Sequence, residues 1–94
     1  MQLQTPPMIR LVDEFGPVLA GRGRATQMRK EIEALAGRGD EIIVDLEGVE
    51  AISPSFADEL FGKLPVAIGE RISFEGASPI LDEIARMART GRAQ

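Results

Sequence analysis

Residues 42–64 read IIVDLEGVEAISPSFADELFGKL, and this stretch decides the fold. It begins with a run of apolar residues, passes through an acidic turn at Glu47 and Gly48, and enters an amphipathic segment that opens with Ser53 and Pro54. Serine and proline are preferred at helix starts, because a serine hydroxyl caps backbone N–H groups and proline suits the first turn. The stretch therefore predicts a strand, a short turn and a helix, in that order.

The apolar run at residues 41–46 predicts an interior strand. Its apolar residues follow one another with little polar interruption, which is typical of parallel strands covered on both faces. Residues 71–75 alternate polar and apolar around Ile72 and Phe74, so they predict a second strand, which we expect to lie parallel to the first. Pairing of these two strands requires a crossover through the intervening helix, and such crossovers are right-handed.

The N-terminal part of the sequence predicts two more strands. Residues 8–12 and 18–20 are short apolar segments separated by the turn-forming sequence Phe-Gly-Pro, so we expect them to pair as a hairpin. Residues 1–7 are predicted to be a loose lead-in to a single domain that spans residues 1–94.

Three segments have the apolar spacing of amphipathic helices, and the first covers residues 24–36. The predicted buried residues of the three helices are, in order, Ala25, Met28, Ile32 and Leu35; Phe56, Leu60, Phe61 and Leu64; and Ile80, Leu81, Ile84, Met87 and Ala88. Thr26 is a candidate cap for the first helix, and Pro65 is predicted to end the second. Ser78 is predicted to cap the third helix, which Gly91 should end.

Taken together, the segments predict an α/β domain with about four mainly parallel strands and about three helices. The chain has no cysteine and no histidine, which removes thiol chemistry and the commonest general base and metal ligand; no cofactor or metal is predicted. Fifteen acidic and eleven basic residues give a net charge of −4, which disfavours nucleic-acid binding. No apolar run approaches the ~20 residues of a membrane span, and the first residues lack the apolar core of a signal peptide, so we expect a cytoplasmic protein.

Two neighbouring motifs carry a family resemblance. Residues 43–49, IVDLEGV, followed by residues 52–55, ISPS, resemble the STAS domains, which include the anti-sigma-factor antagonists. Residues 55–64, SFADELFGKL, are similar to the STAS-like family of unknown function, in which a serine-phenylalanine pair opens this helix and an acidic residue and a glycine follow. The resemblance implies a small STAS-like sheet.

The resemblance also implies a function. In the antagonists, a serine at the start of this helix is phosphorylated by a partner kinase, and that serine aligns with Ser55. The chain would then be a non-enzymatic regulatory module that binds a histidine-kinase-like anti-sigma factor or another kinase through this helix. The candidate contact residues are Glu47, Ser53, Ser55, Asp58, Glu59 and Lys63.

The residues leave several alternatives open. Ser53 or Ser55 could serve only as the helix cap, with Ser55 and Asp58 at the spacing of a capping box, and the protein would then be a constitutive adaptor or subunit without a switch. Asp58, Glu59 and Lys63 lie off the apolar stripe and are expected on a solvated face, where Asp58 and Glu59 would repel a phosphate on Ser55.

Two enzyme hypotheses are weaker. A nucleophilic Ser55 needs a base, and Lys63 lies about 12 Å along the helix, which is too far for a Ser-Lys pair. Asp45 resembles the nucleophile of aspartate-type phosphatases, which need a later acidic pair at a strand end to hold magnesium. The only candidate for that pair, Asp82 and Glu83, is expected in the first turn of a helix.

Overall fold

The computed structural model describes residues 7–37 and 41–92. Strands β1 (Met8–Arg10), β3 (Ile42–Asp45) and β5 (Ile72–Glu75) form one sheet, and β2 (Val18–Leu19) and β4 (Ala51–Ile52) form another. The helices are α1 (Leu11–Phe15), α2 (Arg22–Ala36), α3 (Pro54–Ala57), α4 (Leu64–Ile68) and α5 (Pro79–Arg92). A π-helical segment, Asp58–Lys63, joins α3 to α4, and a 3₁₀ turn, Gly69–Arg71, follows. Residues 54–68 thus form one continuous stretch, which we call the central helix.

β3 is the middle strand of its sheet, and it runs parallel to both neighbours. Ile43 lies between Met8 of β1 and Ser73 of β5. The predictions of an interior strand at residues 41–46 and of a parallel strand at residues 71–75 are therefore confirmed. Every pairing among the described strands is parallel, which confirms the α/β class and the small, mainly parallel sheet.

The predicted hairpin between residues 8–12 and 18–20 is wrong. β1 ends at Arg10 and α1 follows at once, with Leu11 fully buried. β2 then pairs with β4 and not with β1. The physical reason is that a hairpin needs a tight turn between its strands, whereas here a helix lies between them.

Only one face of the three-stranded sheet is packed. Side chains alternate between the two faces of a strand, and Ile42 and Val44 are fully buried on one of them. On the other face Ile43 is half-buried, and its neighbours Met8 and Ser73 are exposed. The expectation that this strand is covered on both faces is therefore wrong for the described part of the chain. The helices pack on the face that carries Ile42 and Val44, which gives a two-layer domain.

α2 packs its predicted stripe into the core with one change. Its buried residues are Ala25, Met28, Ile32 and Ala36. Leu35 was expected to be buried but is exposed, and Ala36 takes that position next to the end of the helix. The Arg71 guanidinium binds the carbonyl oxygens of Ala36 and Ile68, so it links the C-terminal ends of α2 and α4.

The central helix supplies the largest part of the core. All four residues predicted for its buried face are buried, namely Phe56, Leu60, Phe61 and Leu64. The ring of Phe61 meets that of Phe74 edge to face at 5.1 Å between centroids, and Phe56 meets Phe15 in the same way at 5.8 Å. These contacts tie the helix to β5 and to α1.

Pro65 does not end this helix, contrary to the prediction, because the helix continues to Ile68. In an α-helix the proline ring would clash with the carbonyl of Phe61, which would also lose its hydrogen bond. The π-helical segment widens the helix immediately before Pro65, and the N–H of Leu64 bonds to the carbonyl of Glu59, five residues back. The local change in helix type thus accommodates the proline.

α5 begins as predicted, because the Ser78 hydroxyl accepts a hydrogen bond from the N–H of Leu81 at 3.2 Å. The helix continues through Gly91, which therefore does not end it. The predicted buried stripe is partly wrong: Leu81 is buried, but Ile80 is 68% exposed and Met87 is 62% exposed. The apolar face of α5 is wider than the surface of the domain against which it packs, so part of that face stays exposed.

The predicted lead-in at residues 1–7 lies, apart from Pro7, outside the described residues. Among the helices in the described part, none has the length and apolar character needed to cross a membrane.

Candidate functional site

The start of the central helix is capped by Ser53. Ser53 has extended backbone angles, and its Oγ accepts a hydrogen bond from the N–H of Phe56 at 3.2 Å. Pro54 occupies the first helical turn, where it loses no hydrogen bond. The Oγ atoms of Ser55 and Ser53 lie 3.2 Å apart, so Ser55 supports the cap but is not the cap itself. The capping box predicted for Ser55 and Asp58 is therefore wrong.

The turn before the helix is held by Asp45. Its Oδ1 accepts a hydrogen bond from the N–H of Glu47 at 3.0 Å, and its Oδ2 lies 3.3 Å from Nε of Arg10. Gly76 passes so close that a Cβ there would lie 2.7 Å from Oδ1 of Asp45, so only glycine fits. Glu47 itself is exposed at the tip of the turn. Asp45 is thus a structural ligand of the turn.

The second strand pair connects this turn to the helix. The N–H of Ser53 bonds to the carbonyl of Leu19 at 2.8 Å, and the N–H of Glu50 bonds to the carbonyl of Pro17 at 2.7 Å. These bonds attach the chain on the N-terminal side of the helix to β2. The position of Ser53 and Ser55 is therefore set by backbone hydrogen bonds on one side and by helix packing on the other.

Glu59 is buried, which contradicts its expected place on a solvated face. It is 1% exposed, and its carboxylate lies against α2. Thr26 donates its hydroxyl to Oε1 at 3.0 Å, while Nζ of Lys63 and Nε of Arg29 lie 3.0 Å and 3.4 Å from Oε2. Arg22 approaches Oε1 at 3.9 Å. Thr26, the predicted helix cap, thus serves as a partner of this carboxylate.

The surroundings of Glu59 favour its charged form. Burial alone would raise the pKa of this carboxyl, but the contacts from Lys63 and Thr26 and the charge of Arg29 outweigh burial and lower the pKa. A buried carboxylate is tolerated only when cations and donors surround it, and α2 supplies most of them. We call Glu59 with its partners Thr26, Arg29 and Lys63 the Glu59 cluster.

Asp58 and Lys63 remain at the surface beside the cluster. Nη1 of Arg22 lies 3.4 Å from Oδ2 of Asp58, and Lys63 reaches inward to Glu59 with its stem partly exposed. Ser55 precedes Asp58 by three residues, so the two lie on neighbouring parts of the helix surface. Arg22 is therefore a cation beside Asp58, one turn of helix from Ser55, that the sequence did not reveal because it comes from a helix more than thirty residues earlier.

The structure brings five of the six candidate contact residues to or near the surface. Glu47 is exposed on the turn before the helix, and four half-buried residues follow at the helix start and along it, namely Ser53, Ser55, Asp58 and Lys63. Glu59 lies beneath this surface and positions the helix. We call these five residues the helix-start face.

A groove next to this face was missed by sequence reasoning. It has a volume of about 380 Å³ and lies between the start of the central helix and α5. Its lining residues are Ile52, Pro54, Ala57, Asp58, Ile84, Met87 and Ala88. The sequence does contain a clue to this groove, because α5 has more apolar residues than one buried stripe of a helix can hold.

The sequence profile of a family described as "STAS-like domain of unknown function (DUF4325)" matches residues 24–82. The chain belongs to this family. The match begins in α2 and ends in α5, so it contains the turn, the whole central helix and all four residues of the Glu59 cluster. No curated protein and no solved structure gives a significant match.

In this STAS-like domain, the acidic residues that were candidates for a phosphatase site are paired with other groups of the chain. Both oxygens of Asp45 are engaged with Glu47 and Arg10. Glu83 pairs with Arg86 in its own helix. Within the described ranges, no group of three or more acidic side chains has the geometry of a metal site.

Proposed function

We propose that this STAS-like domain is a regulatory module that binds a signalling protein through the helix-start face. The observation that carries the proposal is the arrangement of that face, where the half-buried residues Ser55, Asp58 and Lys63 lie along the helix above a buried anchor, Glu59. The family resemblance points to a histidine-kinase-like anti-sigma factor or another kinase as the partner.

The anchoring of the face supports a binding role. The central helix is held by the Ser53 cap, by the buried rings of Phe56 and Phe61, and by the Glu59 cluster. Side chains on a well-packed helix lose little conformational freedom when a partner binds. The entropy cost of binding is therefore small, and the affinity is higher.

The cation Arg22 changes what a negative charge on Ser55 would do. Phosphorylation adds nearly two negative charges, and the sequence suggested that only Asp58 and Glu59 would face them. Since Glu59 is buried and paired, the charge would compete mainly with Asp58 for Arg22. In this proposal, modification of Ser55 alters the charges of the helix-start face and weakens partner binding.

The alternative is an adaptor or subunit without a switch. The observation that favours it is the contact between the hydroxyls of Ser55 and Ser53, which gives Ser55 a structural role in supporting the cap. In that case the helix-start face would bind its partner constitutively.

The test begins with capture of partners on the immobilised full chain and their identification by mass spectrometry. Ser55→Ala and Ser55→Asp are then compared by calorimetry against the captured protein. The proposal expects Ser55→Asp to bind at least tenfold more weakly than Ser55→Ala, with Ser73→Asp as the matched control, because Ser73 is an exposed serine on β5. Equal affinities for the two Ser55 variants would reject the switch and favour the adaptor.

A second arm tests Arg22. If this cation partly neutralises a charge on Ser55, the affinity loss caused by Ser55→Asp should be larger in an Arg22→Gln background. Additive effects of the two substitutions would contradict that role of Arg22. Failure to capture any protein at stoichiometric level would contradict the binding function itself.

A further inference from the structure

Helix α5 carries more apolar surface than the domain covers. Leu81 and Ala85 are buried in the core. A second stripe consists of Ile80, Ile84 and Met87, whose spacings of four and three place them along an adjacent side of the helix. Ile80 and Met87 are mostly exposed, and Ile84 is half-buried.

The second stripe borders the groove beside the central helix. One wall of the groove consists of Ile84, Met87 and Ala88, and the other consists of Ile52, Pro54 and Ala57 with Asp58 as its one charged residue. A trough with apolar walls from two structural elements is the shape that an amphipathic helix occupies in helix-in-groove recognition. The occupant therefore needs an apolar stripe of at least two helical turns.

We propose that a second copy of this chain occupies the groove, with the two α5 helices packed antiparallel about a two-fold axis near Ile84. Helix α5 has the required stripe, so each copy supplies both a groove and an occupant, as a self-complementary two-fold interface requires. In this arrangement Ile80 of one copy contacts Met87 of the other, and Ile84 contacts its own counterpart.

The charges of α5 favour the antiparallel orientation. Of its charged residues, Glu83 in the first half and Arg86 in the second half lie nearest to the second stripe, and they pair with each other within the helix. Antiparallel packing places Glu83 of each helix beside Arg86 of the other and opposes the two helix dipoles. Parallel packing would place Glu83 beside Glu83 and Arg86 beside Arg86.

Cysteine crosslinking tests the arrangement directly, because the chain contains no cysteine. Full-length Ile84→Cys should form a disulfide-linked dimer on mild oxidation. Ile80→Cys and Met87→Cys should each crosslink poorly alone but efficiently when mixed with each other. Self-crosslinking at all three positions would show a parallel pair and overturn the proposal, as would the absence of crosslinks at every position.

Sedimentation equilibrium of the unmodified chain provides the second measurement. The chain should be dimeric at high concentration, and Met87→Glu should raise the dissociation constant at least tenfold. Val66→Glu is the matched control, because Val66 is an exposed apolar residue on α4, away from the groove. Circular dichroism and thermal melting verify that both variants are folded. A chain that stays monomeric throughout overturns the proposal and leaves the groove to a helix of another protein. Neither measurement needs a partner protein, so failure of this proposal is distinguishable from failure of the proposed function even though Asp58 belongs to both surfaces.

Discussion

The central helix meets its two neighbouring helices through opposite kinds of contact. Toward α2 the contact includes the Glu59 cluster, where a buried carboxylate is held by a hydroxyl and two cations. Toward α5 the contact is apolar and ends in an open groove. The polar contact constrains where α2 can lie, because hydrogen bonds and ion pairs depend on distance and direction, whereas apolar packing is non-directional and can leave surface exposed.

The two contacts leave different amounts of surface open to a partner. On the polar side, Oε1 of Glu59 accepts a hydrogen bond and Oε2 is in ion pairs with Arg29 and Lys63, so a ligand would have to displace these partners at a cost. On the apolar side, Ile80 and Met87 lose hydrophobic stabilisation while they face water, so covering them is favourable. The two sides therefore predict different responses to substitution.

The largest effect is expected from removing the core that both sides share. Phe56→Ala should lower the free energy of unfolding by about 3–5 kcal/mol, because the ring is fully buried and packs against Phe15. Urea denaturation followed by circular dichroism measures the change, with Val66→Ala as an exposed control. A melting temperature equal to that of the unmodified chain would mean that the ring is not in the core.

On the apolar side, Leu81→Ala should cost about 2–4 kcal/mol, whereas Met87→Ala should cost less than about 0.5 kcal/mol at concentrations where the chain is monomeric. The reason is that Leu81 is buried and Met87 is mostly exposed on the same helix. The same denaturation experiment distinguishes them. Equal losses in the free energy of unfolding would show that the two stripes of α5 are buried to the same extent, which would contradict an open groove.

On the polar side, Glu59→Gln should lower the free energy of unfolding by about 2–3 kcal/mol, because a buried hydrogen-bonded charge is replaced by a neutral group among cations. The figure is smaller than for a wholly buried ion pair, since Lys63 and Arg29 keep partial access to water. Asp58→Asn, at the surface beside it, is the matched control. A loss for Asp58→Asn as large as that for Glu59→Gln would contradict the special position of Glu59.

At the helix start, Ser53→Ala should cost about 1 kcal/mol, because the N–H of Phe56 loses its acceptor. Ser55→Ala should cost less, since Ser55 only supports the Ser53 hydroxyl. Thermal denaturation of the two variants side by side measures the difference. If Ser55→Ala proved the more damaging change, Ser55 would be the effective cap.

A change in pH dependence, rather than in stability at neutral pH, should identify the charge of Glu59. Its pKa in the folded chain is below its unfolded value of about 4.3, so its contribution is present above that pH and is lost as pH falls through the folded pKa. Glu59→Gln should therefore flatten the acid limb of a stability-against-pH curve. Glu83→Gln is the comparison and should flatten the limb less, because the hydrogen bond from Arg86 that lowers the pKa of Glu83 is exposed and screened by water. An unchanged acid limb in Glu59→Gln would mean that the carboxylate is not held in its charged form.

The elements with local signals could be predicted from the amino-acid sequence alone. The apolar run at residues 41–46 predicts the middle strand, and the serine-proline pair predicts the helix start, because strand periodicity and capping depend on residues only a few positions apart. The buried face of the central helix followed from the same spacing, and Phe56 and Phe61 are in the core as predicted. The candidate Ser55 was identified from these local features together with the family resemblance.

The pairing of elements with one another depends on long-range packing and could not be predicted from the sequence. The pairing of β2 with β4 and the burial of Glu59 both depend on contacts between segments some thirty residues apart. The open face of the sheet depends on which side the helices pack against. The spacing within its own helix predicts Glu59 at the surface, because no local rule places Thr26 and Arg29 beside it. The groove likewise exists because α5 packs with one of its two apolar stripes, a choice set by the shape of the surface it meets. Local spacing shows that a side chain can be buried, but burial requires a second surface that long-range packing alone supplies.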